Sequence, residues 1–95
     1  MPLDIRLYPG LAGQTGRLAA VHQELEALLR PVPGLRHFQL LETSEGLAMV
    51  TDGESRAACD VCARRAELWM RRLLPTLEGY QPLAVSGEVI AETRG

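Results

Sequence analysis

The residues of this chain that could do chemistry are two histidines, two cysteines, one tryptophan and a scatter of tyrosine, glutamine and glutamate side chains. Histidine as a residue type can serve as a base or as a haem ligand, which makes His22 and His37 candidates for either role. Their ordinary alternatives are a hydrogen-bonded residue at a sheet edge or interface for His37 and a helix-surface residue for His22. Cys59 and Cys62 form a C-x-x-C, whose redox use requires a low-pKa thiolate at a helix N-terminus. Both fall a turn or more inside a predicted helix, with Cys62 on its apolar stripe, so small buried side chains are expected. A tetrahedral zinc site wants four ligands, and the sequence offers no second cysteine pair. Gly10, Gly13 and Gly16 follow a strand and precede a helix, yet their spacing misses both glycine fingerprints that cradle phosphate, and a plain connection is expected. Lysine and asparagine are absent. That removes Schiff-base and P-loop lysines, asparagine ligands and asparagine oxyanion donors from consideration. No cofactor or metal is implied by what remains.

These side chains must be positioned by elements that the hydropathy pattern makes legible. Leu3 to Tyr8 alternates with period two and predicts a strand with Leu3, Ile5 and Leu7 on one face and Tyr8 in the opposite phase. Leu18, Val21, Leu25 and Leu28 recur at helical spacing and predict one amphipathic helix from Thr15 or Gly16 to about Arg30, stopped by Pro31. A strand over Gly34 to Thr43 carries Phe38 and Leu40 on one side and His37, Gln39 and Leu41 on the other. A turn at Ser44-Glu45-Gly46, with glycine expected at positive φ, leads into a strand over Leu47 to Asp52. Asp52 or Ser55 can cap the next helix, along which Ala58, Cys62, Ala66, Trp69 and Leu73 make a continuous apolar stripe. Pro75 and Gly79 close that helix, and a last strand is expected from Pro82 to Glu92.

Composition limits the function classes. Ninety-five residues, 46% of them hydrophobic, make a single domain over residues 1–95 with a modest core. A formal charge of −2 offers no basic footprint for nucleic acid. No apolar run approaches the roughly twenty residues a bilayer span needs, and Asp4 and Arg6 interrupt the N-terminus where a signal peptide would need an apolar core. A soluble, cytoplasmic protein with neither nucleic-acid nor membrane partners is expected.

The element order is βαββαβ, a ferredoxin-like α+β layer of four antiparallel strands with two helices on one face. The other face, expected to carry Met49, Leu41 and Ile90 among polar groups, is too apolar to stay in water. A two-fold homodimer packing sheet on sheet is the expected solution. The segments Pro33-Gly34-Leu35-Arg36-His37-Phe38-Gln39-Leu40-Leu41, Glu45-Gly46, Ala63-Arg64-Arg65-Ala66-Glu67-Leu68-Trp69 and Ser86-Gly87-Glu88-Val89-Ile90 resemble the dimeric α+β barrel superfamily. The likeness, over roughly residues 33 to 92, is to small members related to the antibiotic-biosynthesis monooxygenase domain. It implies a homodimer with a barrel-like space between sheets, but no single chemistry, since members include oxygenases, haem-degrading enzymes, isomerases and proteins with no known activity. In the oxygenase and haem-degrading members a tryptophan works with an asparagine. This chain has no asparagine, so that site does not carry over intact, and Trp69 is expected in the core.

Strand parity gathers Tyr8, His37, Gln39, Met49 and Glu88 as a barrel-facing set expected to converge on a small cleft of apolar walls and a few polar groups. Glu88 is expected to pair with Arg6 or Arg36. Two functions of different class stay open. One is a non-catalytic homodimer that binds a small molecule or a protein partner. The other is a cofactor-independent monooxygenase-like enzyme acting on a small aromatic or quinol-type substrate.

Overall fold

In a computed structural model, which describes residues 1–10, 15–77 and 80–95, the period-two segment at the N-terminus becomes β1 (Pro2–Pro9). Two short helices follow, α1 (Thr15–Ala20) and α2 (His22–Leu29), then β2 (Leu35–Glu42), β3 (Gly46–Gly53), α3 (Arg56–Leu73), a 3-10 turn (Pro75–Leu77) and β4 (Leu83–Glu88). The strands form an antiparallel sheet in the order β2-β3-β1-β4, with the helices on one face. This is the ferredoxin-like α+β plan read from the sequence. The glycine-rich connection falls partly outside the described residues, Gly13 included, and so does Gly79.

Directly opposed residues of antiparallel strands share a face. Tyr8 lies opposite Leu47, Arg6 opposite Met49 and Asp4 opposite Thr51, while Phe38 and Leu40 of β2 face Thr51 and Met49. All of these point toward the helices. Leu3, Ile5, Leu7, Val50, Leu41, Leu83 and Val85 occupy the other face by the same register. Met49 therefore belongs to the helix side, where it is buried, and not to the open face as expected. The two phases of β3 are both apolar, so parity alone does not assign them.

The core runs between the sheet and the helices. Leu18, Leu25, Leu29, Tyr8, Leu47, Met49, Cys62, Ala66, Trp69 and Met70 form one buried cluster, and Trp69 lies 1% exposed within it. Each large apolar side chain so buried contributes about 1.5–3 kcal/mol. The α3 stripe is thus placed as the sequence predicts, and Ser55 is its cap, its Oγ accepting from the Ala58 amide at 3.1 Å.

Three local expectations are corrected. The first helix is two, because at Val21 the chain leaves α geometry (φ −121°, ψ 23°). The His22 ring takes the Ala19 carbonyl at 2.9 Å, the acceptor that a continuous helix would offer to the Gln23 amide. Positive φ among the described residues is confined to Gly10 and Gly34, so Gly46 does not serve the hairpin in that way. A Cβ at Gly46 would instead collide with the Tyr8 carbonyl, and the turn is held by Thr43, whose Oγ1 accepts from the Gly46 amide at 3.0 Å. Finally, β4 ends at Glu88 and not at Glu92, because β1 supplies no partner beyond Pro2 and the last bond runs from the Val89 amide to the Met1 carbonyl at 2.9 Å. Ile90, one residue further on, is 97% exposed.

Candidate functional site

The break at Val21 sets α1 and α2 at the edge of the sheet, and between them and β2 lies a cleft of about 740 Å³, within the roughly 300–1,000 Å³ range of small-molecule sites. Its apolar walls are Leu18, Leu25 and Leu29 from the helices and Leu35, Phe38, Leu40 and Leu47 from the sheet. Leu18, Leu25, Leu29 and Leu47 belong to the buried core, and Leu35, Phe38 and Leu40 are half-buried beside them. The polar lining is His22, Glu26, Arg30, Arg36, His37 and Glu42. Arg30 pairs with Glu26 at 3.6 Å across one helical turn. Arg36 directs Nη1 to the Met1 sulfur at 2.8 Å.

A second polar cluster lies beneath α3. The inward-facing polar phase of β1 puts Asp4, Arg6 and Tyr8 under the helix. Arg6 bridges Asp4 at 3.3 Å and Glu67 at 3.2 Å, and Arg71 reaches Glu67 at 3.1 Å. The Tyr8 hydroxyl donates to the same carboxylate at 3.3 Å, and its ring stacks on Tyr80 with centroids 5.9 Å apart. Burial, reinforced by the Glu67 carboxylate, raises the Tyr8 pKa well above the ordinary phenol value. Such a phenol is neither a base nor a nucleophile near neutrality. Every charge in the cluster has a partner within it, which makes it a fastening between sheet and helix.

The five residues gathered by strand parity do not converge. Tyr8 and Met49 meet in the core, with the hydroxyl 4.0 Å from the sulfur. His37 and Gln39 lie on the opposite face, across from Asp52 and Val50. Parity within a single strand does not fix which phase of β1 faces the helices; the polar phase does, because Glu67 and Arg71 are there to receive it. Glu88 stands on the exposed edge strand, 3.1 Å from the Met1 amino group and 3.7 Å from Arg56, so neither Arg6 nor Arg36 is its partner. Of the five, His37 alone borders the cleft.

The cysteines are free and fully buried, and burial pushes both thiols up from their ordinary pKa, the opposite of what a redox C-x-x-C needs. Trp69 does not line the cleft, and its buried indole N–H has no partner among the described residues. The sequence reading passed over the stripe His22, Glu26, Arg30, which recurs at i, i+4 and i+8 beside the apolar positions of the same helix and lines the cleft. That spacing was available as a signal. What hid it is that polar residues at helical spacing ordinarily mark a solvated face.

No family model matches the sequence, and no curated protein matches it. Solved structures do match its shape. A mutant of MhuD with two manganese protoporphyrin IX molecules per active site superposes with a TM-score of 0.69 at 21% identity, covering 100% of both chains. A monooxygenase of Streptomyces coelicolor in complex with nanaomycin D gives 0.63 at 16% identity over 99% of this chain and 90% of that one. An antibiotic biosynthesis monooxygenase gives 0.61 at 16% identity over 96% and 100%. At such identities the likeness is one of architecture, and it agrees with the strand order and helix placement found here. The chain has a ferredoxin-like α+β fold, the fold of these solved structures.

Proposed function

We propose that this protein is a non-catalytic homodimer that binds a small, largely apolar molecule in the cleft between α1–α2 and β2, with His37 at its border. The cleft itself carries the reading. It combines a volume of about 740 Å³ with a floor of leucines and one phenylalanine, which is the form such sites take. The proteins of similar fold that hold manganese protoporphyrin IX and nanaomycin D lend support, because both ligands are large, ring-based and mostly apolar. The dimer rests on the open sheet face. Leu7, Leu41, Leu83 and Val85 are all exposed there, and a contiguous apolar surface of this kind is stabilised by a partner.

The test is equilibrium binding of protoporphyrin IX and of naphthol to the protein and to Ala19→Trp, a substitution at an exposed helical position on the cleft wall. Saturable binding to the wild type that the tryptophan blocks is the expected result. Binding unaffected by Ala19→Trp, or no binding of either compound, would remove the proposal. The monooxygenase-like alternative is favoured by the names of two proteins of similar fold. Oxygen uptake on adding a hydroquinone, beyond its autoxidation and sensitive to Ala19→Trp, would move the assignment to an enzyme.

A further inference from the structure

One side chain of the polar lining has its hydrogen-bonding role fixed by the backbone. The His22 ring nitrogen Nδ1 lies 2.9 Å from the Ala19 carbonyl oxygen. A carbonyl only accepts, so Nδ1 carries the proton, and of the two tautomers this one has its lone pair at Nε2, on the ring edge turned away from that bond. His22 lines the cleft. Arg30 and Glu26 take each other at 3.6 Å and Arg36 is directed toward the Met1 sulfur at 2.8 Å, and the imidazoles of His22 and His37 are further hydrogen-bonding groups on this lining. Two arginines and two glutamates line the space, so their formal charges cancel. A neutral ligand is favoured over an ion. A ligand matched to this lining has an apolar body for the leucine floor and presents a hydrogen-bond donor to His22.

We infer that His22 is the specificity-determining residue of the cleft, accepting through Nε2 a hydrogen bond from the hydroxyl of a neutral apolar ligand. The inference rests on the cleft being a binding site and adds what that site selects. A ligand lacking the hydroxyl leaves the imidazole lone pair desolvated and unpaired, and the discrimination comes from that penalty. The conformation that achieves this is local. The same Nδ1 bond, made where the helix divides at Val21, leaves Nε2 as the nitrogen free to accept.

The experiment compares naphthol with its methyl ether by isothermal titration calorimetry, using wild type and His22→Phe. The wild type is expected to prefer naphthol by about tenfold, the ratio that one uncompensated hydrogen bond gives. In His22→Phe the ratio falls to about one while the ether still binds. Because that substitution also removes the Ala19 contact, nitrogen NMR of the imidazole in the wild type gives an independent readout. The expected free state is the Nδ1–H tautomer, and the Nε2 resonance moves on adding naphthol but not the ether. A preference retained in His22→Phe, equal affinities in the wild type, or an Nε2–H tautomer in the free protein would overturn the assignment and leave the cleft standing as a site. Failure of the wild type to bind either compound would overturn the cleft reading and this inference together.

Discussion

Tyr8 shows how a single side chain changes role with its surroundings. On an exposed strand its hydroxyl would be one more solvated phenol; under α3 it donates to Glu67, and burial raises its pKa. Its folded pKa lies above the unfolded value of about 10, so the stability it contributes is fully present below that pH and is lost as pH rises through the folded value. Denaturant midpoints followed upward from pH about 9 are therefore expected to fall in the wild type, and to fall less steeply in Tyr8→Phe. At neutral pH the same substitution is expected to cost about 0.5–1.5 kcal/mol, and equal pH slopes for the two proteins would contradict the placement of the hydroxyl. The thiols of Cys59 and Cys62 sit at 0% exposure with raised pKa values. An aromatic disulfide reagent is expected to leave both untouched in the native protein and to titrate both in denaturant. Fast native reaction of either would restore the redox reading. The burial of Cys62 was legible from the apolar stripe it shares with Ala58 and Ala66. The inward turn of Asp4, Arg6 and Tyr8 was not, since it depends on Glu67 and Arg71, some sixty residues away in sequence.

Among the elements, α3 was the most legible and the first helix the least. The α3 stripe repeats at helical spacing over eighteen residues with a serine cap, so local and tertiary preferences agree. Trp69→Ala is expected to cost about 3–5 kcal/mol and Ser55→Ala about 1 kcal/mol, both measurable as shifts in the urea midpoint. A Trp69→Ala loss below about 1 kcal/mol would place the indole outside the core. The first helix has an equally regular apolar pattern, and where it divides a side chain takes a backbone carbonyl. Hydropathy carries no record of such a contact. The hairpin was placed correctly for a reason that differs from the expected one, because Gly46 is required by the closeness of the Tyr8 carbonyl and not by positive φ. The end of β4 likewise depends on where β1 stops offering partners.

At the scale of the whole molecule, two surfaces are left open by the fold, the apolar sheet face and the cleft. The first is expected to be closed by a second copy of the chain. Sedimentation equilibrium at micromolar concentration is expected to give a dimer for the wild type and a folded monomer for Val85→Asp, since Val85 is 57% exposed in the single chain and its substitution leaves the core intact. A wild-type monomer of 10.4 kDa would contradict that assembly. The second surface was only half legible. Strand parity anticipated a cleft with apolar walls but gathered its members from both faces of the sheet, whereas the observed cleft draws its polar lining mainly from a helix and an edge strand. The cleft as the ligand site is the central claim, and amide proton–nitrogen correlation spectra recorded while naphthol is added test it most directly. The expected result is a set of saturable shifts at Leu18, Ala19, His22, Leu40 and Leu41, with Ile5, Leu7, Val50 and Val85 unmoved. Shifts confined to the latter group, or no shifts at the solubility limit of the ligand, would contradict it.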